Sequence, residues 1–293
     1  MSLTQTSPPA PKLLYRLISA VALLRESPVG MVGAFLVLFW VLVALLAPWI
    51  APFDPNSTIL PFAKPGTPNP AGGTFWLGTD HIGRDILSRL IHGSRTVLFF
   101  APVATFSAYV VGVVMGLYAG YLGGRIDTLL SRLSDVILSF PVLVLYILVI
   151  TTWGNTGFNI ILAITFASAP GIMRIVRGLT LDLRNRDYVA AAQTRGESTW
   201  HILLFEILPN ARGPLIVDAC LRLGYVIITI GVLGFLGLGL PPPDPDWGGM
   251  INETRSMALV FPHMTLVPCI AISSLILGFN LLADGLREIS LRD

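Results

Sequence analysis

The chain has 293 residues, of which 54% are hydrophobic and only 12% charged, and its mean hydropathy is +0.74. A charged share about half the usual one cannot cover a soluble surface, and the apolar share is too high for a disordered chain. What remains is an integral membrane protein. A net charge of +2 argues against a nucleic-acid partner.

A bilayer-crossing helix needs about 20 mostly apolar residues. The sequence predicts six, near 28–50, 96–122, 127–152, 159–179, 213–238 and 261–284. The runs are continuous rather than alternating, which excludes a β-barrel. Residues 1–27 precede the first span as an N-terminal segment expected in the cytoplasm. The first apolar run is too long for the h-region of a cleavable signal, so it is expected to remain as a span. With the N-terminus placed inside, thirteen Lys and Arg fall in inside segments and five outside, so both termini are expected in the cytoplasm. The two cysteines, Cys220 and Cys269, lie in apolar runs and read as buried small hydrophobes rather than a disulfide.

The first outside segment, 51–95, opens with proline-rich coil and changes character at Leu77. Ile82, Ile86, Leu87, Leu90 and Ile91 recur at helical spacing, with Arg84, Asp85, Ser88 and Arg89 elsewhere on the wheel. This predicts a short amphipathic helix, either lying on the outer membrane surface or packed against the spans. The second span carries Ala104, Ala108, Gly112, Gly116 and Gly120, one small residue every four. Such a stripe lets two helix backbones approach closely, within the chain or against a partner. Inside the spans, Arg132 with Asp135 and Asp218 with Arg222 are each spaced to pair along their own helix. Because unpaired charge in lipid is costly, a contact with substrate is the alternative.

Enzymatic chemistry is hard to place. A phosphate-binding P-loop needs Lys followed by Ser or Thr, but Lys12 precedes Leu13 and Lys64 precedes Pro65. ATP hydrolysis by this chain is therefore excluded. The four histidines, His81, His92, His201 and His263, lack the H-E-x-x-H spacing of a zinc protease. Ser139, Ser168, Ser273 and Ser274 have no neighbouring base that would make one a nucleophile. An ion-coupled transporter, which places carboxylates or His near the midplane, stays as a distant alternative.

The polar segment 182–212 breaks the hydropathy pattern. Its Asp187, Tyr188 and Ala190–Ala192 favour a helix, Gly196 can end it, and Glu197 or Ser198 can start another. Trp200, Ile202, Leu203 and Phe205 give the second helix an apolar side, and Pro209 is expected to stop it before the fifth span. A protruding helix–Gly–helix with an apolar face needs a partner to cover it. The segment resembles the E-A-A-x3-G-x9-I-x-L-P loop of ABC importer permeases. Ala190, Ala191, Ala192, Gly196, Leu208 and Pro209 keep the spacing, while Ala190 stands at the usual Glu and Glu206 at the usual Ile. In that family the loop couples the permease to its ATPase, so Asp187, Tyr188 and these positions are the coupling candidates.

Further motifs are similar to the C-type permeases for dipeptides, oligopeptides and nickel. They are Leu77-Gly78-Thr79-Asp80, Gly83-Arg84-Asp85 and Ser88-Arg89; Phe235 to Gly239 followed by Pro242-Pro243, Pro245, Trp247-Gly248 and Met250; and Phe279-Asn280 with Asp284 to Arg287. The resemblance covers about 34–287 and implies an all-α, six-helix type I importer permease fold in the bacterial inner membrane. The permease core would run from 96 to 287. It further implies a homologous second permease, one or two ATPase subunits holding ATP and magnesium, and an extracytoplasmic binding protein; no cofactor is expected in this chain. Asp80, Arg84, Asp85, Arg89 and Trp247 are then candidates for docking the binding protein. Di- or oligopeptides are the expected cargo, with nickel, glutathione or opine-like compounds as alternatives.

Overall fold

Helix α1 (Pro28–Ile50) begins where Ser27 caps it: the Ser27 hydroxyl accepts the Gly30 amide at 3.3 Å, and Pro28 supplies a pre-set φ at the first position. A computed structural model describes residues 27–241 and 243–290. Residues 1–26, which include Lys12, Arg16 and Arg25, lie outside the described residues, as do Pro242 of the proline motif and 291–293 with Arg292.

Beyond α1 the chain forms a two-stranded antiparallel ribbon, β1 (Thr67–Pro68) with β2 (Thr74–Phe75). Then follow α2 (Ile86–Leu122), α3 (Gly124–Leu138), α4 (Val142–Trp153), α5 (Gly157–Leu183) and the short α6 (Asp187–Thr194). The long α7 (Thr199–Phe235) leads to α8 (Trp247–Thr254) and α9 (Pro262–Ser290). Five helices, α1, α2, α5, α7 and α9, are each long and apolar enough to cross a bilayer. The sixth candidate is a broken pair: α3 and α4 meet at 86°. The apolar run across 127–152 concealed this break. Pro141 cannot continue the helix through Ser139 and Phe140, so the span turns there.

The small-residue stripe of α2 packs inside the chain. A Cβ on Gly112 would meet Ile172 Cβ at 2.6 Å, on Gly116 Val176 Cβ at 2.6 Å, and on Gly120 Thr180 Cβ at 2.6 Å. These are successive contacts along α5, and α2 with α5 is the most extensive helix pair in the protein. Ala104 and Ala108 extend the buried face. The helices lie backbone to backbone, where dispersion replaces the hydrophobic drive that lipid removes. On the other flank α1 lies on α9 in the same way, with Gly33 against the backbone of Gly278 and Leu281, and Gly285 against Gly30. Trp40 Nε1 donates to Ser274 Oγ at 2.9 Å across that seam.

Outward-facing Phe35, Phe106, Leu129 and Phe158 remain exposed on the isolated chain. They suit contact with lipid or with another subunit's helices.

Of the two placements open to the amphipathic stretch, the structure shows the packed one. Its residues from Ile86 onward form the first turns of α2, and Ile86, Ser88, Arg89 and Ile91 are buried. The reason is the cap. Asp85 accepts the Ser88 amide at 2.8 Å and the Ser88 hydroxyl at 2.6 Å, which starts the helix at Ile86 with no break before the span.

Candidate functional site

The two ends of the helix body carry the polar chemistry. At the end reached by Leu122, α6 is short and leaves Asp187, Ala190 and Ala191 exposed while burying Val189 and Ala192. Gly196 ends the turn at φ +74°, with its amide bonded to Gln193 O at 3.0 Å and the next amide to Ala192 O at 3.2 Å. Ser198 Oγ then accepts the His201 amide at 3.3 Å and opens α7.

From there the structure departs from the expected stop at Pro209. Residues 202–207 form a π-helical stretch, and α7 continues through Pro209 to Phe235 without a break. The wider turn moves the preceding carbonyls away from the proline ring, so the helix absorbs a residue that would ordinarily break it. Leu208 is partly buried, and Pro209 lies on the exposed side of α7.

Ile202, Leu203 and Ile207 pack with Val189, Ala192 and Leu117 in a buried cluster. Trp200 and Phe205 stay exposed, Trp200 stacked on Tyr118 with ring centres 6.0 Å apart. Polar ties fix the segment to α2: Arg184 Nη1 donates to Gly120 O at 2.9 Å, and Gln193 Nε2 to the Tyr121 hydroxyl at 3.0 Å. Arg195 links Glu197 at 2.7 Å and Glu206 at 3.3 Å, so Glu206 binds within the knob. Tyr188 is half-buried beside this cluster. Asp187, Tyr188, Ala190, Ala191, Ala192, Gly196, Glu206, Leu208 and Pro209 therefore lie together on one projection, part of its apolar side covered by the chain itself.

At the opposite end, Asp80, Arg84, Asp85, Arg89 and Trp247 come together, but as interior groups. All five are at most 6% exposed, so as they stand they offer no docking surface. Asp80 accepts the Ile82 and Arg84 amides at 3.0 and 2.9 Å and the Arg84 side chain at 2.6 Å. Arg84 also bonds Glu253 of α8, and Arg89 reaches the same carboxylate at 3.9 Å and Pro55 O at 3.4 Å. Trp247 Nε1 donates to Leu90 O at 2.9 Å, its ring lying over Gly93 and edge-on to Trp40 at 4.8 Å. These residues lock loop, α2, α8 and α1 together. Charges that sequence reading places on a surface are drawn inside because each finds a partner more than a hundred positions away or a backbone amide close by.

Two members of this end escaped the sequence reading, Glu253 and Asp246. Asp246 carried a legible signal, an Asp directly before a helix. It caps α8 by accepting Gly249 N at 3.0 Å and Gly248 N at 3.3 Å, and its second oxygen fills the space that Gly234 and Gly239 leave open. Burial pushes its carboxyl up from 3.8 to about 6. A folded-state pKa above the unfolded one adds stability that is complete below 3.8 and lost as pH rises through about 6. Melting temperatures of the purified complex are therefore expected to fall between about pH 4 and pH 7. Asp246→Asn is expected to flatten that fall, and an unchanged slope in the variant would refute the assignment.

Within the bundle, Asp218 and Arg222 pair as their spacing suggests, at 2.7 Å. Asp135 does not pair with Arg132. It bonds Arg174 of α5 at 2.5 Å, and Asp127 holds Arg177 of the same helix with both oxygens, at 2.5 and 2.6 Å. Partners across helices win because α3 lies against α5, where the long arginine side chains reach over. Among the described residues no group of three or more His, Cys, Asp or Glu could hold a metal ion. Cys220 and Cys269 are free and partly buried.

Comparison with known proteins agrees with this arrangement. The family described as "Binding-protein-dependent transport system inner membrane component" matches residues 112–292, and "N-terminal TM domain of oligopeptide transport permease C" matches 18–68. The chain is 38% identical over 269 residues to the dipeptide transport system permease protein DppC of Haemophilus influenzae, covering 90% of each. It is 37% identical over 265 residues to the glutathione transport system permease protein GsiD of Pectobacterium atrosepticum, covering 90% of this chain and 87% of that one. To the probable D,D-dipeptide transport system permease protein DdpC of Escherichia coli K12 it is 36% identical over 269 residues, covering 92% and 89%. Among solved structures, an inward-facing form of the MetNI methionine ABC transporter has a TM-score of 0.55 at 20% identity, covering 71% of this chain and 98% of that one, a likeness of fold. Projection, locked loop and helix body are thus those of a permease without an ATPase site of its own, and the chain belongs to the binding-protein-dependent transport permeases, the inner membrane components of ABC importers.

Proposed function

We propose that this chain forms half of the translocation pathway of an importer for di- or oligopeptides, paired with a homologous permease and driven by two ATPase subunits below. The observation that carries the reading is mechanical. The projection around Gly196 is continuous with α7, a helix that crosses the whole bundle. An ATPase that moves Ala190, Ala191, Trp200 and Phe205 therefore moves a membrane helix directly. The excess of Lys and Arg on that side supports placing it, with both termini, in the cytoplasm. The opposite end, locked by Arg84 and Trp247, would then face an extracytoplasmic binding protein through the exposed parts of its loop, such as Trp76 and Ile82. Peptides are favoured over nickel because the similar permeases are named for dipeptides and glutathione.

The test is purification of the chain from detergent-solubilised membranes of its own cell. Co-purification of ATPase subunits and a second permease is the expected result. Peptide-stimulated ATP hydrolysis should follow in liposomes supplied with the binding protein. A chain that purifies alone and carries peptide in response to an ion gradient would overturn the reading.

A further inference from the structure

Arg222 lies well inside the span of α7, and its environment is unequal on its two sides. Nε donates to Asp218 at 2.7 Å. Asp218 also accepts a hydrogen bond from the hydroxyl of Tyr109 of α2, and that hydroxyl sits beside the guanidinium. The two terminal nitrogens point the other way. Each stands 3.5 Å from where a Cβ would be on Gly171, near the middle of α5. Beside Asp218, the guanidinium's described partner is the Tyr109 hydroxyl, and no second carboxylate meets its terminal nitrogens among the described residues. A purely structural ion pair in lipid would be expected to spend its donors on protein, since each unmet one is costly there. Here Asp218 and Tyr109 orient the group and leave its terminal nitrogens without a carboxylate, and a planar fork of this kind grips a carboxylate with two parallel bonds.

The guanidinium lies where α7 faces α5, at Gly171. Two turns along α7 from Arg222 is Thr229, whose hydroxyl donates to Tyr225 O at 2.9 Å. One turn beyond Gly171 in the other direction is Arg174, held by Asp135. Arg222 and Arg174 thus both project from the middle of the bundle, the first beside Gly171 and the second held by Asp135 of α3. The side chain of Arg222 is 21% exposed, open enough to be met from outside this chain.

We propose that Arg222 is a cargo-contacting residue: its planar fork receives the carboxylate of an anionic substrate crossing between α5 and α7, with Asp218 and Tyr109 as positioning residues. This rests on the peptide-importer reading, since a peptide carries such a carboxylate at its C-terminus.

The experiment uses the full complex with its binding protein in liposomes and glycyl-leucine and glutathione as probes. Arg222→Gln is expected to lower uptake roughly 10- to 100-fold, the size of one lost charge-assisted contact. KM, set by the binding protein, and ATPase stimulation by the loaded binding protein should stay within about twofold. Arg222→Lys keeps the charge without the fork and should restore part of the rate. The Asp218→Asn/Arg222→Gln double variant leaves no lone charge in the membrane, so it guards against a folding defect. Uptake at the wild-type rate in either Gln variant overturns the proposal, as does a parallel loss of uptake and ATPase in both. A wild-type complex that imports neither probe overturns the peptide reading itself, and the carboxylate assignment with it.

Discussion

Replacing Gly196 by Asp should leave the complex assembled and hydrolysing ATP while uptake falls about tenfold or more, roughly 1.4 kcal/mol of lost coupling. Gly196 is exposed, and a Cβ placed on it meets nothing within 4 Å, so the chain itself has no steric objection. Its φ of +74° costs most side chains about 1–2 kcal/mol, but Asp and Asn tolerate that region better than others. Any larger effect must therefore arise at a surface that a partner covers. Gly196→Asn separates the two causes, since it matches Asp in size and backbone tolerance but adds no charge. The comparison is made by measuring ATP hydrolysis and peptide uptake on the same liposomes. Wild-type uptake with Gly196→Asp would sink the coupling assignment. Equal loss in both variants would assign the effect to the backbone.

Gly116→Leu is expected to remove the folded subunit altogether. The first added carbon would sit 2.6 Å from Val176 Cβ and 2.7 Å from the Met173 carbonyl oxygen, and the second of these is backbone. Rotamer changes cannot relieve that contact, so α2 and α5 would have to separate. Overpacking of this kind costs about 3 kcal/mol or more, a large part of a total stability of about 5–15 kcal/mol. Thermal melting and size-exclusion profiles of the detergent-purified protein read it out. Gly178→Leu is the control on α5 itself, where the glycine is exposed and no atom lies within 4 Å of an added Cβ. A well-folded Gly116→Leu protein would show that the α2–α5 contact is not the one that holds the bundle together.

The same contact shows how far sequence reaches. The stripe from Ala104 to Gly120 is legible because small residues every fourth position fall on one helix face, which is local geometry. Its partner is not legible, because Ile172, Val176 and Thr180 look like any apolar face of any span. The helix–glycine–helix projection is readable for a similar reason. A glycine that ends a helix and a serine that begins one act through bonds spanning a few residues, and Gly196 and Ser198 do so here. Pro209 misled because its effect depends on neighbouring carbonyls, and the π-helical stretch before it moves them.

At the opposite end the reading failed in a consistent way. Arg84, Asp85 and Arg89 look like surface groups in sequence, yet Arg84 is closed over by Glu253, 169 positions later in the chain. Asp135 was paired with its neighbour Arg132 and instead meets Arg174.

Taken alone, the sequence determined what depends on near neighbours. It set the positions of the apolar spans, the caps and turn of the projection, the small-residue stripe, and the lack of a phosphate-binding lysine. Tertiary structure alone decided that the third span breaks by 86°, that the α2 stripe serves α5, that the loop charges turn inward, and that the Arg222 guanidinium lies beside Gly171. Hydropathy and capping are summed along the chain and can be read along it. The cost of burying a charge or placing two backbones in contact depends on atoms brought together from distant positions, and only the folded chain specifies which ones they are.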